Sequence, residues 1–326
     1  MLLALANEQS TVVPMSAGRV LVDEALAMAS RLADPRLELH ARQVACSMIW
    51  APSTAEERLA WSTEAVTLAR TTEEDQAFVV SSTLRTVVLS ELGRVEEMAA
   101  AAAVTRAEAE RLRIPYGELV LGAVTMPWLA LDGRFEECTE LLERMQVLAG
   151  RVDESFAGES VVAGQATIWM WQGEAVRAAE LLHGLDQEPY QLTALVAALL
   201  WRAGEPERAA QHLDADALER LREGPGETPL SLYLDCHAAE LALRLGDDEL
   251  ARRCLDRIAP YAGRSAQAGS ALNAGPVDTF LALAAAATGD RAAATEHAEA
   301  ALALTDRWRL SLARGWIEGL REEHGF

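Results

Sequence analysis

Six glycines recur along the chain at intervals of 31 to 43 residues, and each stands between an apolar segment and an acidic, alanine-rich segment. These glycines are Gly93, Gly133, Gly173, Gly204, Gly246 and Gly289. Glycine can end a helix in the left-handed conformation, and acidic residues after it suit the start of the next helix. The recurrence therefore predicts one helical hairpin in each period.

Residues at fixed distances from these glycines are small. Seven residues before each glycine stand Thr86, Met126, Ala166, Ala197, Ala239 and Ala282, and five residues after it stand Met98, Cys138, Ala178, Ala209, Ala251 and Ala294. Small residues allow two helices to approach closely where they cross. Because no alternation of apolar and polar residues is sustained along the chain, we expect negligible strand and an all-α fold.

The pattern of small residues, a glycine turn and a following alanine resembles the tetratricopeptide repeat, although these units exceed its usual length of about 34 residues and lack its closing proline. The periodicity covers roughly residues 36–304. The resemblance implies a tetratricopeptide-like helical-hairpin solenoid, a right-handed superhelix of about seven hairpins. We expect residues 1–326 to form a single helical-repeat domain that could bend at 222–229 and 262–275.

A second resemblance rests on four segments: Leu129–Glu136, Ala259–Arg264, Gly275–Asp278 and Leu281–Asp290. They resemble the C-terminal helical-repeat region of large bacterial signalling ATPases, including actinobacterial LuxR-type transcriptional regulators. Such regulators carry an ATPase domain before the repeats and often a helix-turn-helix after them. Neither partner domain is found in this sequence, so we expect either a fragment of a regulator or an independent repeat protein, without ATPase or DNA-binding activity of its own.

The basic residues exclude several classes of protein. All 29 are arginine, and the net charge is −21. Without lysine the chain cannot form a P-loop, a Schiff base or the phosphate-binding pair of a protein kinase. The acidic excess disfavours a phosphate backbone, so we expect no direct nucleic-acid binding.

The sequence also lacks signs of membrane insertion or export. Its longest apolar runs are shorter than the roughly 20 residues that a membrane span needs, and Met1–Met15 does not read as a secretory leader. The four cysteines lie far apart, as reduced thiols do. We therefore expect a cytoplasmic protein that does not bind membranes.

Motifs for catalysis are absent. The six histidines include no pair four residues apart, and the segment Gly263–Gln267 lacks the final glycine of a nucleophile elbow. We expect no catalytic residue, no metal site and no cofactor, and we do not expect an enzyme.

The column two residues before the glycines differs from the others because it mixes charge and size: Glu91, Leu131, Trp171, Arg202, Arg244 and Ala287. We predict that this column faces the concave groove that the first helices of such a solenoid line. Trp171 would be an exposed aromatic there, whereas Trp128, Trp169 and Trp201 fall in apolar columns and would be packing residues.

The predicted binding site combines this aromatic residue with two arginines that can hold a carboxylate through paired hydrogen bonds. Its residues are Trp171, Arg202, Arg244, Glu240, Thr167, Gln191 and Tyr233. The structural alternative is that the two arginines only pair with acidic residues of adjacent helices.

The leading functional hypothesis is a non-catalytic sensor or scaffold domain of a signalling or transcriptional regulator, which binds a small effector or a partner protein in its groove. Two alternatives stay open. One is a stand-alone tetratricopeptide-like adaptor that binds a peptide, and the other is a tailoring enzyme with a helical-repeat fold. The sequence leaves the oligomeric state open.

Overall fold

The computed structural model describes residues 15–152, 155–185 and 191–326, so nearly all of Met1–Met15, including its predicted lack of a leader, lies outside the described residues. The described part of the chain forms seventeen α-helices and one two-stranded sheet, which confirms the all-α prediction. No helix within it is long and apolar enough to cross a membrane.

The N-terminal seven helices of the described chain are α1 to α7, with a short 3-10 helix at Pro52–Thr54 between α2 and α3. They are α1 (Met15–Leu32), α2 (Pro35–Met48), α3 (Ala55–Thr71), α4 (Asp75–Glu91), α5 (Val95–Leu112), α6 (Pro115–Asp132) and α7 (Phe135–Ala149).

The remaining elements run from α8 to α17 and include the two strands, which follow a 3-10 helix at Ala259–Tyr261. They are α8 (Ser155–Trp171), α9 (Ala175–His183), α10 (Thr193–Arg202), α11 (Pro206–Gln211), α12 (Ala215–Glu223), α13 (Ser231–Leu245), α14 (Asp248–Ile258), β1 (Ser265–Ala268), β2 (Leu272–Pro276), α15 (Val277–Ala287), α16 (Arg291–Trp308) and α17 (Ser311–His324).

All six recurring glycines stand at the turn between two helices, with φ between +66° and +86°. At each turn the backbone N–H of the residue after the glycine donates a hydrogen bond to the carbonyl five residues earlier. Arg94 donates to Leu89 at 2.9 Å and Glu205 donates to Leu200 at 3.0 Å, for example. This geometry satisfies carbonyls that the helix end leaves open and needs a left-handed residue, so it confirms the predicted glycine turns.

The small-residue columns form helix contacts. Every residue seven positions before a glycine is at most 1% exposed, from Thr86 to Ala282. The column five positions after the glycine is also buried, with Met98 at 6% and the other five members at 0%. The columns are therefore the surfaces on which the hairpins pack, as predicted.

The chain divides into two compact units. The first comprises residues up to Leu121 together with Glu227–Pro229, and the second comprises Gly122–Gly226 together with Leu230–Phe326. A continuous core in the second unit includes residues from Ala166 in α8 to Leu320 in α17. A single repeat domain and a right-handed superhelix stay predictions.

The segment between α14 and α15, which includes the predicted bend at 262–275, forms two short strands that the sequence did not indicate. Strands β1 and β2 pair antiparallel, and all nine of their residues are buried. Strands that are buried on both faces need no alternation of polar and apolar residues, so the sequence carried no signal for them. The Asn273 side chain accepts a hydrogen bond from the Gly275 N–H at 2.8 Å, and Gly275 has φ +89°.

Candidate functional site

Three of the residues predicted to line the groove lie in the second unit, each at the end of the helix that precedes a recurring glycine. Trp171 is the last residue of α8 and Arg202 the last residue of α10, whereas Arg244 lies in the last turn of α13. We call these three residues the groove column. The C-terminal helix α17 contacts all three.

Trp316 of α17 packs into the centre of this site. Its ring lies 5.6 Å from the ring of Trp171 in an edge-to-face arrangement and 5.9 Å from that of Phe280. The Arg202 guanidinium lies 4.4 Å from the centre of the Trp316 ring, which is cation–π geometry. The site thus accommodates a large aromatic side chain between two rings and a cation.

Arg202 forms a bidentate salt bridge with Glu240 of α13. Arg202 Nε donates to one carboxylate oxygen at 2.8 Å and Nη2 donates to the other. Glu240 is 2% exposed. Burial alone would raise the pKa of Glu240, but the charge and hydrogen bonds of Arg202 outweigh burial and bring this pKa to about 2. The pair is therefore charged at neutral pH.

His237 completes this network from one turn earlier on α13. It is fully buried, and its Nδ1 lies 3.5 Å from Arg202 Nη2 and 3.6 Å from a Glu240 oxygen. Burial lowers the pKa of His237, so the ring is neutral at pH 7. Its Nε2 is buried and has no hydrogen-bond partner, and the same is true of Trp171 Nε1. Buried polar atoms are usually paired, which makes both atoms exceptions.

Arg244 pairs with Glu323 near the end of α17, through Nη1 and, at 3.3 Å, through Nη2. Both arginines of the predicted site therefore hold carboxylates of the chain itself, which is the arrangement of the structural alternative. The same column in the first unit carries Glu91, which accepts hydrogen bonds from the guanidinium of Arg58 and from Trp50 Nε1.

The other predicted site residues lie in different environments. Tyr233 is fully buried, and its hydroxyl lies 3.8 Å from the sulfur of Met170. Thr167 is also buried and donates to the Ala271 carbonyl between β1 and β2 at 3.4 Å. Gln191 is exposed and lines a separate cleft of about 210 Å³ between α10, α12 and α13. The structure thus brings Trp171, Arg202 and Arg244 together against α17, with Glu240 paired to Arg202. Tyr233 and Thr167 are buried nearby in the core, and Gln191 lies apart.

The predicted contrast between two tryptophans of α8 is wrong. Trp171 is not an exposed aromatic: it is half-buried against Trp316 and the core. Trp169 is half-buried as well, with the Arg177 guanidinium 4.1 Å from its ring centre. Helix α17 occupies the side of α8 on which we expected solvent. Trp128 is 7% exposed, which confirms its packing role.

Sequence reasoning missed four residues of this site: His237, Phe280, Trp316 and Glu323. His237 carried a usable signal, since it stands three residues before Glu240 and four after Tyr233, and such residues share a helix face. Trp316 and Glu323 lie after the last recurring glycine. Their position over the groove column depends on contacts that no repeat spacing encodes.

Three buried cysteines lie outside this site. The thiols of Cys46, Cys138 and Cys254 are buried, and burial raises their pKa to about 12, about 11 and about 12, so they are protonated and poor nucleophiles. In the described ranges no three His, Cys, Asp or Glu side chains are grouped to hold a metal ion. The site itself contains two arginines, Arg202 and Arg244, and the aromatic ring of Trp171.

No protein-family model matches the chain, and no curated protein shows significant sequence similarity to it.

Proposed function

We propose that this chain is a non-catalytic sensor or scaffold repeat domain of a bacterial signalling or transcriptional regulator, and that it binds a partner protein or small effector through the groove column. One observation carries the proposal. The column presents two arginines and Trp171 on one side of the second unit, and these residues bind an aromatic ring and a carboxylate of α17. A ligand with the same two groups would meet the same surface.

The electrostatics of the site support recognition of an anion. The overall charge of −21 repels anions at long range, so a carboxylate needs a local cation to bind. Arg244 is suited to this role, because its present partner Glu323 is 49% exposed and leaves at little cost. Arg202 is less available, since its departure would leave the buried Glu240 without a partner.

The test is a selection of displayed random peptides on the purified full-length chain carrying Trp316→Ala, which opens the site. We expect enriched peptides to share an aromatic and an acidic residue, and to lose at least about fivefold in affinity when Arg244→Ala is added. Arg177→Ala is the matched control, because Arg177 is exposed and pairs with Glu174 beside it on the chain. Peptides that ignore Arg244, or no enrichment at all, would refute the proposal.

A further inference from the structure

The C-terminal helix α17 is amphipathic, and its apolar side packs against the rest of the second unit. Ala313, Ile317 and Leu320 are at most 4% exposed, and Trp316 and Glu323 contact the groove column. These residues recur at helical spacing, and Trp316 and Glu323 are seven residues apart, which is two helical turns. One helix therefore presents an aromatic ring to Arg202 and a carboxylate to Arg244.

The opposite side of α17 contains two glycines in the middle of the helix. Gly315 and Gly319 are exposed, and a Cβ added to either would meet no atom within 4 Å. No close approach therefore requires glycine at these positions. Glycine inside a helix favours the unfolded chain, so both residues lower the stability of α17 without any gain in packing.

Some buried polar atoms beneath α17 make no hydrogen bond. Trp171 Nε1, beside Trp316, is buried without a hydrogen-bond partner, and so is His237 Nε2 farther below. His237 is fully buried and lies 5.6 Å from Phe280, whose ring contacts Trp316. An occupant with a hydrogen-bond acceptor beside Trp171 Nε1 would gain a hydrogen bond that α17 does not make.

From these observations we propose that α17 is an intramolecular competitor for the groove column. The competing ligand is an amphipathic helix of a partner protein, with an aromatic residue in the place of Trp316 and a carboxylate two turns later in the place of Glu323. This inference rests on the proposed function and names its partner. It is helix-in-groove recognition, in which the protein's own helix covers the site until a partner displaces it.

The first experiment follows amide hydrogen exchange in the full-length wild-type chain. We expect the amides of α17 to exchange through local opening, faster than those of α13 and α15, which form the core below it. The variant Gly315→Ala/Gly319→Ala should slow this opening by about 5- to 30-fold. Amides of α17 that exchange only together with α13 and α15 would overturn the inference.

The second experiment measures binding of a fluorescein-labelled synthetic peptide with the sequence of residues 309–326. The peptide should bind the Trp316→Ala chain at least about tenfold more tightly than the wild type, because the competing helix is weakened. It should bind the Gly315→Ala/Gly319→Ala chain more weakly than the wild type. Equal affinity for the wild type and the double glycine variant would overturn the inference, even if Trp316→Ala does not fold.

The two experiments distinguish which proposal fails. The peptide selection asks whether any foreign sequence uses Arg244, whereas hydrogen exchange asks whether α17 opens at all. A helix that opens over a site that selects no peptide would refute the proposed function, and with it the partner helix. Arg244-dependent peptides together with a helix that never opens independently would refute the competition alone.

Discussion

Two buried carboxylates of α13 differ in the number of hydrogen bonds they receive. Glu240 accepts two hydrogen bonds from Arg202, and its pKa is about 2. Asp235 accepts one, from Arg257 Nε at 2.8 Å. Burial raises the pKa of Asp235 to about 6, because the attraction of Arg257 does not compensate for the loss of water. The same helix thus holds one carboxylate whose ionised form is stabilised, Glu240, and one whose ionised form is destabilised, Asp235.

This difference predicts a pH dependence for Asp235→Asn. A carboxyl whose pKa is higher in the folded state stabilises the fold while it is protonated, and this contribution is lost as pH rises from about 4 to about 6. Relative to the wild type, Asp235→Asn should therefore gain up to about 3 kcal/mol in unfolding free energy over that interval. Urea denaturation at pH 4, 5, 6 and 7 measures the difference. A wild type that gained stability relative to the variant would show that Arg257 dominates.

At the scale of the helical hairpin, the glycine turns and the small columns could be read from the sequence because both are local. A left-handed turn excludes most residues other than glycine, and a close helix crossing excludes large ones. Strands β1 and β2 and the docking of α17 depend instead on distant contacts. Neither Ser265–Ala268 nor Leu272–Pro276 contains a β-branched or aromatic residue. For the same reason the arginines of the site were predictable, but Trp316 was not.

The turns predict opposite effects for one substitution at two glycines. Gly204 has φ +78° and no atom within 4 Å of an added Cβ, so Gly204→Ala should cost about 1 kcal/mol or more from backbone strain alone. Gly158 lies inside α8, is exposed and is equally uncrowded, so Gly158→Ala should gain roughly 0.5 to 1 kcal/mol. Thermal denaturation of both variants measures this. If both variants were stabilised, or both destabilised, the result would contradict the role of Gly204 as the left-handed residue that ends a helix.

The small columns predict a cost for a large residue at Ala197. This residue is 0% exposed in α10, in the column seven residues before Gly204. Ala197→Trp should lower the unfolding free energy by about 1 to 3 kcal/mol or more, because overpacking forces the crossing helices apart. The control is Ala210→Trp, at an exposed position of α11, with an effect within about 0.5 kcal/mol. Chemical denaturation of the two variants would contradict the assignment if they were equally stable.

At the scale of the whole molecule, arginine serves to pair acidic side chains. Exposed pairs within one helical turn recur at the hairpin turns, including Arg94–Glu97, Arg134–Glu137 and Arg177–Glu174. Buried or half-buried pairs join neighbouring helices, as in Arg58–Glu91 and Arg202–Glu240. Each exposed pair contributes little to stability. Ion pairs of both kinds thus oppose the charge of many of the arginines with a carboxylate nearby.

This pairing and the net charge of −21 predict that the isolated chain does not bind duplex DNA. Nonspecific binding gains its free energy when basic side chains replace counterions along the phosphates. Here a phosphate would have to approach an acidic protein, and at the paired arginines it would also have to displace a carboxylate, so both steps oppose binding. Electrophoretic mobility shift with a 30-base-pair duplex should show no retardation at about 150 mM salt, nor at about 50 mM, where electrostatic attraction is stronger. Micromolar binding that weakens as salt rises would contradict the prediction, and would mean that the arginines exchange their carboxylate partners for phosphate.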